Sequence, residues 1–276
     1  MGRINYSVLM SVYYKENPKY FRMAIDSMFN QTVKTNDFVL VCDGDLTTEL
    51  NRVIEDYIAR FQDILHVIRL KENQGLGNAL NIGVQCCKNV LIARMDSDDI
   101  SLPNRIETQL EAFCNDPELS LCGGQIAEFI DDISHVTGVR KVPCLDYDIR
   151  KFARKRNPMN HVTVMFKKMD VIEAGNYIEI SLAEDYYLWV RMLCLHKKCK
   201  NIDKTLVYVR TGKGMYERRG GMGYVKKMIL VQRKLLELNF ISYFDFILNS
   251  STRCIVSLVP CRIRGWIYEK RLRKQF

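Results

Sequence analysis

Apolar positions in the first hundred residues follow two alternating rhythms. Short, nearly unbroken apolar runs occur at residues 6–14 ("YSVLMSVYY"), 37–45 ("DFVLVCDGD"), 64–70 ("ILHVIRL") and 89–96 ("NVLIARMD"). Their length and Val/Ile/Leu content predict buried strands. Between them the spacing changes to that of a helix. Asn17 and Pro18 stand in N-cap and first-turn positions ahead of residues 19–32. Leu50, Val53, Ile54, Tyr57, Ile58 and Phe61 recur as one predicted buried stripe. Glycines open a third helix at residues 75–87. The order β-α-β-α-β-α-β predicts a largely parallel sheet with helices on both faces. Such sheets bind ligands at the carboxyl ends of their strands. Asp43 and the acidic group at 96–99 fall at two such ends and are expected to line one cleft.

The second half is less regular. Helices are expected at 103–114 and 183–195, and strands at 120–130, 160–168 and 205–210. Residues 211–223 ("TGKGMYERRGGMG") read as a basic, glycine-rich loop. From about 224 onward the pattern is helical, amphipathic and basic, so a soft boundary is placed there: a domain over 1–223, with halves at about 1–100 and 101–223, and a C-terminal region over 224–276.

Composition narrows the class. The 276 residues, 47% hydrophobic and 26% charged, suffice for a large α/β domain with an appendage and exclude a disordered chain. The ten cysteines contain no CxxC pair and fall mostly inside apolar runs, which predicts buried thiols in a reducing cytoplasm and not a zinc site. The first residues read as a strand, not as a signal peptide. The most apolar later segment is interrupted by Asp245 and Arg253 and is too short of uncharged length to span a bilayer. The net charge of +9 is uneven: residues 261–276 carry Arg262, Arg264, Lys270, Arg271, Arg273 and Lys274 against Glu269. That tail suits an anionic lipid surface or a nucleic acid. Interleaved Ile263, Trp266, Ile267, Tyr268 and Leu272 favour the membrane interface. A solvated basic helix with Trp266 packed on the domain fits the same residues.

The carboxylates carry the candidate chemistry. Asp96, Asp98 and Asp99 close a strand, and like charges so near raise one another's pKa. Mg²⁺ or Mn²⁺ relieves this, binding through one or two carboxylates plus substrate phosphates. By itself the triplet fits an acidic turn and helix cap equally well. Glu184 and Asp185 at a helix start fit either a dipole partner or a general base.

Taken together, "YSVLMSVYYKENPKYFRMAIDSMFNQT", "VLVCDGD", "NQGLGNALNIG", "LIARMDSDDISLPNR" and "AEDYYLWVRM" resemble, in order and spacing, the family 2 glycosyltransferases. Residues 157–189 resemble the branch that builds bacterial O antigens, capsules and exopolysaccharides, amylovoran-type enzymes included. The resemblance spans about residues 5 to 211. It implies a glycosyltransferase A-type fold, a Rossmann-like nucleotide half fused to an acceptor half in one mixed sheet. It further implies an inverting, Mg²⁺- or Mn²⁺-dependent transfer from a nucleotide sugar, usually a UDP-sugar, to a polyprenyl-diphosphate-linked saccharide. The place implied is the inner face of the cytoplasmic membrane, with the C-terminus on its anionic surface. Carried over by position, Tyr13 and Glu16 meet the nucleotide, Asp43 the uracil, and Asn73, Gly75 and Asn78 the base and ribose. Asp98 is the first choice as metal ligand, with Asp96 nearer the ribose and Asp99 a substitute. Asp185 is the catalytic base. Glu184, Asn160 and His161 lie near the donor or acceptor sugar, although His161 is as readily structural. Lys213, Arg218 and Arg219 are a candidate lid over the diphosphate. Two departures concern donor contacts: Gly175-Asn176-Tyr177 replaces Gly-Gly-Tyr, and Asn78 stands where many relatives have Arg.

Three other readings fit parts of the sequence less well. "DGDLT" at 43–47 fits a haloacid-dehalogenase-like phosphatase with Asp43 as nucleophile, but on the second strand instead of the first. "GLGNALNIG" lacks the glycine spacing of a dinucleotide site. The basic charge crowds at one end without a nucleic-acid recognition module.

Overall fold

A computed structural model describes residues 4–180, 182–211 and 221–258. The candidate lid residues Lys213, Arg218 and Arg219 and the basic tail from 259 lie outside the described residues.

The first four strands are β1 (Tyr6–Val12), β2 (Asp37–Cys42), β3 (Leu65–Arg69) and β4 (Leu91–Met95). They are joined by helices α1 (Pro18–Phe29), α2 (Thr48–Phe61) and α3 (Leu76–Cys86). They pair in parallel in the order β3-β2-β1-β4, as the alternating pattern predicts. Beyond β4 the sheet turns mixed. β8 (Met165–Lys167) pairs antiparallel with β4 and β6 (Leu119–Phe129), β6 runs parallel to β9 (Lys198–Arg210), and β5 (Ile100–Ser101) and β7 (Val136–Arg140) complete it. One continuous mixed sheet therefore joins the two halves.

Every residue of β2 is buried, because helices cover both faces of the sheet. On one face Tyr6, Val8, Met10 and Val12 of β1 pack with Phe21, Ile25 and Met28 of α1 and with Leu50, Val53, Ile54 and Tyr57 of α2. Each such aliphatic burial contributes about 1.5–3 kcal/mol. Ile58, expected in that stripe, is 38% exposed at its edge. On the other face Leu9 and Ile92 meet α3, α5 (Asp146–Ala153) and Leu188, Trp189 and Met192 of α7 (Glu184–Cys194). Helix caps match the sequence: Asn17 Oδ1 accepts from Lys19 N at 2.9 Å, and Thr47 Oγ1 from Leu50 N at 3.3 Å.

Three departures have local causes. The strand expected over 160–168 begins instead as a 3-10 turn at His161–Thr163. Thr163 Oγ1 donates to Asn160 O at 2.7 Å and Asn160 Nδ2 to Gly124 O at 2.8 Å, so side chains compete with a ladder there. β9 starts earlier than expected and bulges at Asp203 and Lys204, where the register slips between Gly124–Ile202 and Gln125–Thr205. The short elements α5, β5, β7 and α6 (Lys168–Glu173) carry no periodic run long enough to announce them. At the C-terminal side, α8 (Gly221–Glu237) and α9 (Tyr243–Leu258) share an apolar cluster with Ala183, Tyr186 and Val190 of the α7 end. No described helix is long and apolar enough to cross a membrane. The described cysteines are free thiols.

Candidate active site

β4 delivers the acidic turn. Ala93 and Met95 point into one core face, so Arg94 projects from the other, where it is 1% exposed. The chain leaves β4 after Met95 and, with four residues between, is caught again by β5, which pairs Ile100 with Tyr208 and Ser101 with Val207 of β9. The turn at 96–99 is thus held from both ends. Arg94 Nη2 donates to Asp96 Oδ1 at 2.5 Å. Ser97 Oγ donates to Glu16 Oε2 at 2.6 Å, bringing the β1–α1 loop against the turn. Asp99 is buried and its Oδ1 accepts from Arg210 N at 2.7 Å. Arg210 Nε donates to Asp98 O at 3.2 Å, while its guanidinium lies 3.7 Å from the Tyr20 ring centre and 4.5 Å from that of Phe129.

Asp98, between Asp96 and Asp99, also has a perturbed carboxylate. Burial, then Asp96, then Glu16 push it up to about 7. Asp99 is pushed well above the ordinary carboxylate range by burial and by Asp98. An oxygen-only cluster short of positive charge fits a hard divalent cation. Among the described residues no three His, Cys, Asp or Glu groups converge as a self-sufficient metal cage.

The residues expected at the nucleotide lie around the ends of β1 and β2. Tyr13 is 40% exposed and meets Tyr14 edge-on. Asp43 accepts from Gln74 N at 2.7 Å and Gly75 N at 3.1 Å, and Asn73 Nδ2 donates to Asp43 O at 3.2 Å. With both oxygens tied to that loop, Asp43 is a poor free nucleophile, which counts against the phosphatase alternative. Gly75 takes φ +89°, and a Cβ there would lie 2.6 Å from Glu179 Oε2. Glu179 also accepts from Gly77 N at 2.8 Å, at the start of α3. Asn78 bonds locally, its Nδ2 donating to Gln74 O at 3.0 Å. Asn176 has φ +55°, a left-handed conformation that Asn tolerates better than most residues, which accounts for its place after Gly175.

The second acidic station is the start of α7. Asp185 Oδ1 accepts from Tyr186 N at 2.7 Å and Oδ2 from Asn157 Nδ2 at 2.5 Å. Burial raises its pKa, and the Asn157 bond, the Tyr186 amide, Arg94 and Arg140 partly offset the rise. Burial and Asp185 push Glu184 up to about 7. His161 Nδ1 lies 4.0 Å from Asp185 Oδ2, and its Nε2 lies 3.0 Å from the Tyr177 hydroxyl. Burial and Arg94 hold His161 neutral, well below its usual pKa. Asn160 departs from expectation: it is buried, and its amide is used on the carbonyls of Gly124 and Arg140.

The family model described as glycosyl transferase family 2 matches residues 7–174. The chain belongs to glycosyl transferase family 2. It is a glycosyltransferase. Relatives of this family 2 enzyme include an Escherichia coli UDP-Gal:alpha-D-GlcNAc-diphosphoundecaprenol beta-1,3-galactosyltransferase, 36% identical over 98% of the chain and 97% of the relative. The amylovoran biosynthesis glycosyltransferase AmsE of Erwinia amylovora is 35% identical over 96% and 98%. Among solved structures, the Pyrobaculum calidifontis mannosyltransferase PcManGT, in complex with GDP-Man and Mn²⁺, matches at TM-score 0.68 and 11% identity, covering 98% of this chain and 81% of that one. S. aureus TarS 1–349 with UDP-GlcNAc matches at TM-score 0.67 and 17% identity, covering 99% and 78%. These likenesses show the expected glycosyltransferase A-type fold.

Four site residues escape the sequence reading. Arg94 could have been noticed as a lone cation inside an apolar strand. Asn157, Glu179 and Arg210 sit in segments whose proximity to the site depends on the fold.

Proposed function

We propose that this glycosyltransferase moves a sugar, with inversion, from a UDP-sugar to a polyprenyl-diphosphate-linked saccharide during assembly of a bacterial O antigen, capsule or exopolysaccharide. The observation that carries the reading is the placement of two acidic stations around one buried cation. Arg94 bonds Asp96 directly, and its charge is felt by Asp98 and Asp185. The E. coli relative's named acceptor supports the lipid-diphosphate class.

Tyr13 offers an open ring for the base, and Asp43, Asn73, Gly75 and Asn78 form the rim beside it. Each Asp43 oxygen keeps a lone pair for a base edge. Glu16 faces the diphosphate side of this rim. Asp98, with Asp96, would hold Mg²⁺ or Mn²⁺; when bound, the ion supplies Lewis-acid compensation for charge on the departing diphosphate. Asp99 is the least suited of the three, because its carboxylate holds β9. Asp185 takes the proton of the acceptor hydroxyl. That oxygen bonds the anomeric carbon from the face opposite the diphosphate, whose C–O bond breaks, and the proton remains on Asp185. A single carboxylate suffices, since the diphosphate leaves without protonation, unlike the two-carboxylate hydrolysis of glycosides. Glu184 and neutral His161 border the sugars, and Asn160 supports that wall from below. Lys213, Arg218 and Arg219 would close over the diphosphate.

The deciding experiment screens nucleotide sugars with Mn²⁺, then assays the best donor with a diphospholipid-linked monosaccharide. Transfer to a new glycosidic bond is expected. Donor binding with no transfer to any such acceptor would refute the acceptor class. The pH profile offers a second check. Asn157→Ala removes a bond that holds the Asp185 pKa down, so the acid limb of kcat should move up by about one unit. Activity on the alkaline plateau should change little, and an unmoved limb would count against Asp185 as the titrating base.

We further place the enzyme in the cytoplasm, peripheral at the inner membrane face. α9 supports this: Tyr243, Phe244, Ile247, Leu248 and Ile255 are 49–73% exposed on one helix, just ahead of the basic tail. Deleting residues 240–276, stripe and tail together, is expected to move most of the protein from membrane to soluble fractions, and unchanged membrane recovery would disprove the anchor.

A further inference from the structure

A cleft of about 430 Å³ lies beside α5, away from the acidic turn. Val142, Pro143 and Phe152 give it an apolar lining, and Lys141, Lys151 and Lys155 also line it. Lys151 and Lys155 stand one turn apart on α5 and its extension, and Lys141 enters from the strand-end loop opposite. None of these three lysines makes a described ion pair with a carboxylate. Asp148 and Asp203 also line the cleft, and neither is within ion-pair distance of a described cation. Arg156 adds further positive charge, its guanidinium lying 5.3 Å from the ring centre of Phe152. Cations above an apolar lining suit a ligand that joins a compact polyanion to hydrocarbon.

Both walls lead to the catalytic station. Lys141 follows Arg140, whose charge reaches Asp185. Lys155 stands two residues before Asn157, which donates to Asp185 at 2.5 Å. The same segment carries α9: Arg154 pairs with Asp245 at 2.7 Å, Asn249 donates to Arg154 O at 2.8 Å, and Arg253 to Lys155 O at 2.9 Å. The exposed apolar stripe of α9 thus belongs to the helix that docks at the cleft's own edge.

We propose that the Lys141–Lys151–Lys155 cleft binds the diphosphate of the lipid-linked acceptor, with the first prenyl units against Val142, Pro143 and Phe152. The physiological identity of this ligand rests on the transferase reading above. The site explains how an acceptor sugar reaches Asp185 while its lipid stays at the membrane. It also separates the acceptor diphosphate from the donor diphosphate at the acidic turn, so the two polyanions do not compete.

Binding of farnesyl diphosphate below its micellar concentration tests the assignment, measured calorimetrically in EDTA to silence metal-bridged binding at the turn. Inorganic pyrophosphate and farnesol serve as the single-feature probes. Farnesyl diphosphate should bind wild type more tightly than either. The triple variant Lys141→Ala, Lys151→Ala, Lys155→Ala should lose about tenfold or more for both phosphate-bearing probes. Farnesol binding should be unchanged, and the triple arginine variant should stay within about threefold of wild type. UDP binding with Mn²⁺ should be equal in all forms, which reports the fold. Undiminished farnesyl diphosphate binding by the alanine variant, or no binding by wild type, overturns the proposal. Because this readout needs no turnover, a protein that binds through these lysines yet transfers nothing to a lipid-linked sugar would keep the cleft and lose the proposed acceptor class.

Discussion

Replacing Asp185 with Asn is expected to lower sugar transfer by about a thousandfold while UDP-sugar binding stays within about twofold. The substitution keeps volume and leaves an oxygen for the Tyr186 amide, whose bond to Oδ1 starts α7. It removes the carboxylate proposed to accept the acceptor's proton. His161 cannot take over the role readily, because burial and Arg94 hold its ring far from protonation. Burial raises the carboxylate's pKa and so makes it a stronger base than an Asp in water, and the Asn157 bond limits the rise. Initial rates with saturating donor, together with titration of UDP binding, separate chemistry from affinity. A variant keeping more than about a tenth of wild-type turnover would move the base elsewhere, and Glu184 would be the next candidate.

How much of this was legible beforehand depends on range along the chain. The parallel half was readable because each strand and helix announces itself by its own periodicity, and the parallel order follows from their alternation. Asp43 and the 96–99 turn stand out because motif and strand end coincide, and Asp185 because an acidic pair opens a helix. Asn157 was not. It follows a short helix, α5, with little pattern, and only the fold sets it against a residue 28 positions away. Arg210 was equally hidden: its bonds to the acidic turn cross 111 and 112 positions and depend on the pairing of β5 with β9. Asn160 has a structural task that no sequence pattern reveals: its Nδ2 donates to two buried carbonyls. Arg94 lies between these cases. A cation within "LIARMD" breaks the strand pattern, and such breaks concentrate at functional sites.

Asp98→Asn is expected to abolish metal-stimulated transfer, by about a thousandfold, and at the same time to make the metal-free protein more stable. The opposite signs follow from one fact. Burial and the neighbouring Asp96 and Glu16 hold the Asp98 pKa at about 7, above the ordinary value of 3.8. A carboxylate raised on folding binds its proton more tightly in the native state than in the unfolded chain. Its contribution is therefore intact below about pH 4 and lost as pH rises towards 7. Glu184 titrates with the same sign, since it too is raised to about 7. In EDTA, wild-type stability should fall across that window, and Asp98→Asn should flatten part of the fall, by on the order of 1–3 kcal/mol at pH 7. Mn²⁺ should stabilise wild type in the presence of UDP and have little effect on the variant, because the ion answers the charge that Asn no longer carries. Denaturant melts at pH 4 and pH 7, with and without Mn²⁺ and UDP, measure all of this without an acceptor. If Asp98→Asn lowered stability at pH 7 and kept its response to Mn²⁺, the carboxylate would be a structural tie and the metal would have to sit on Asp96.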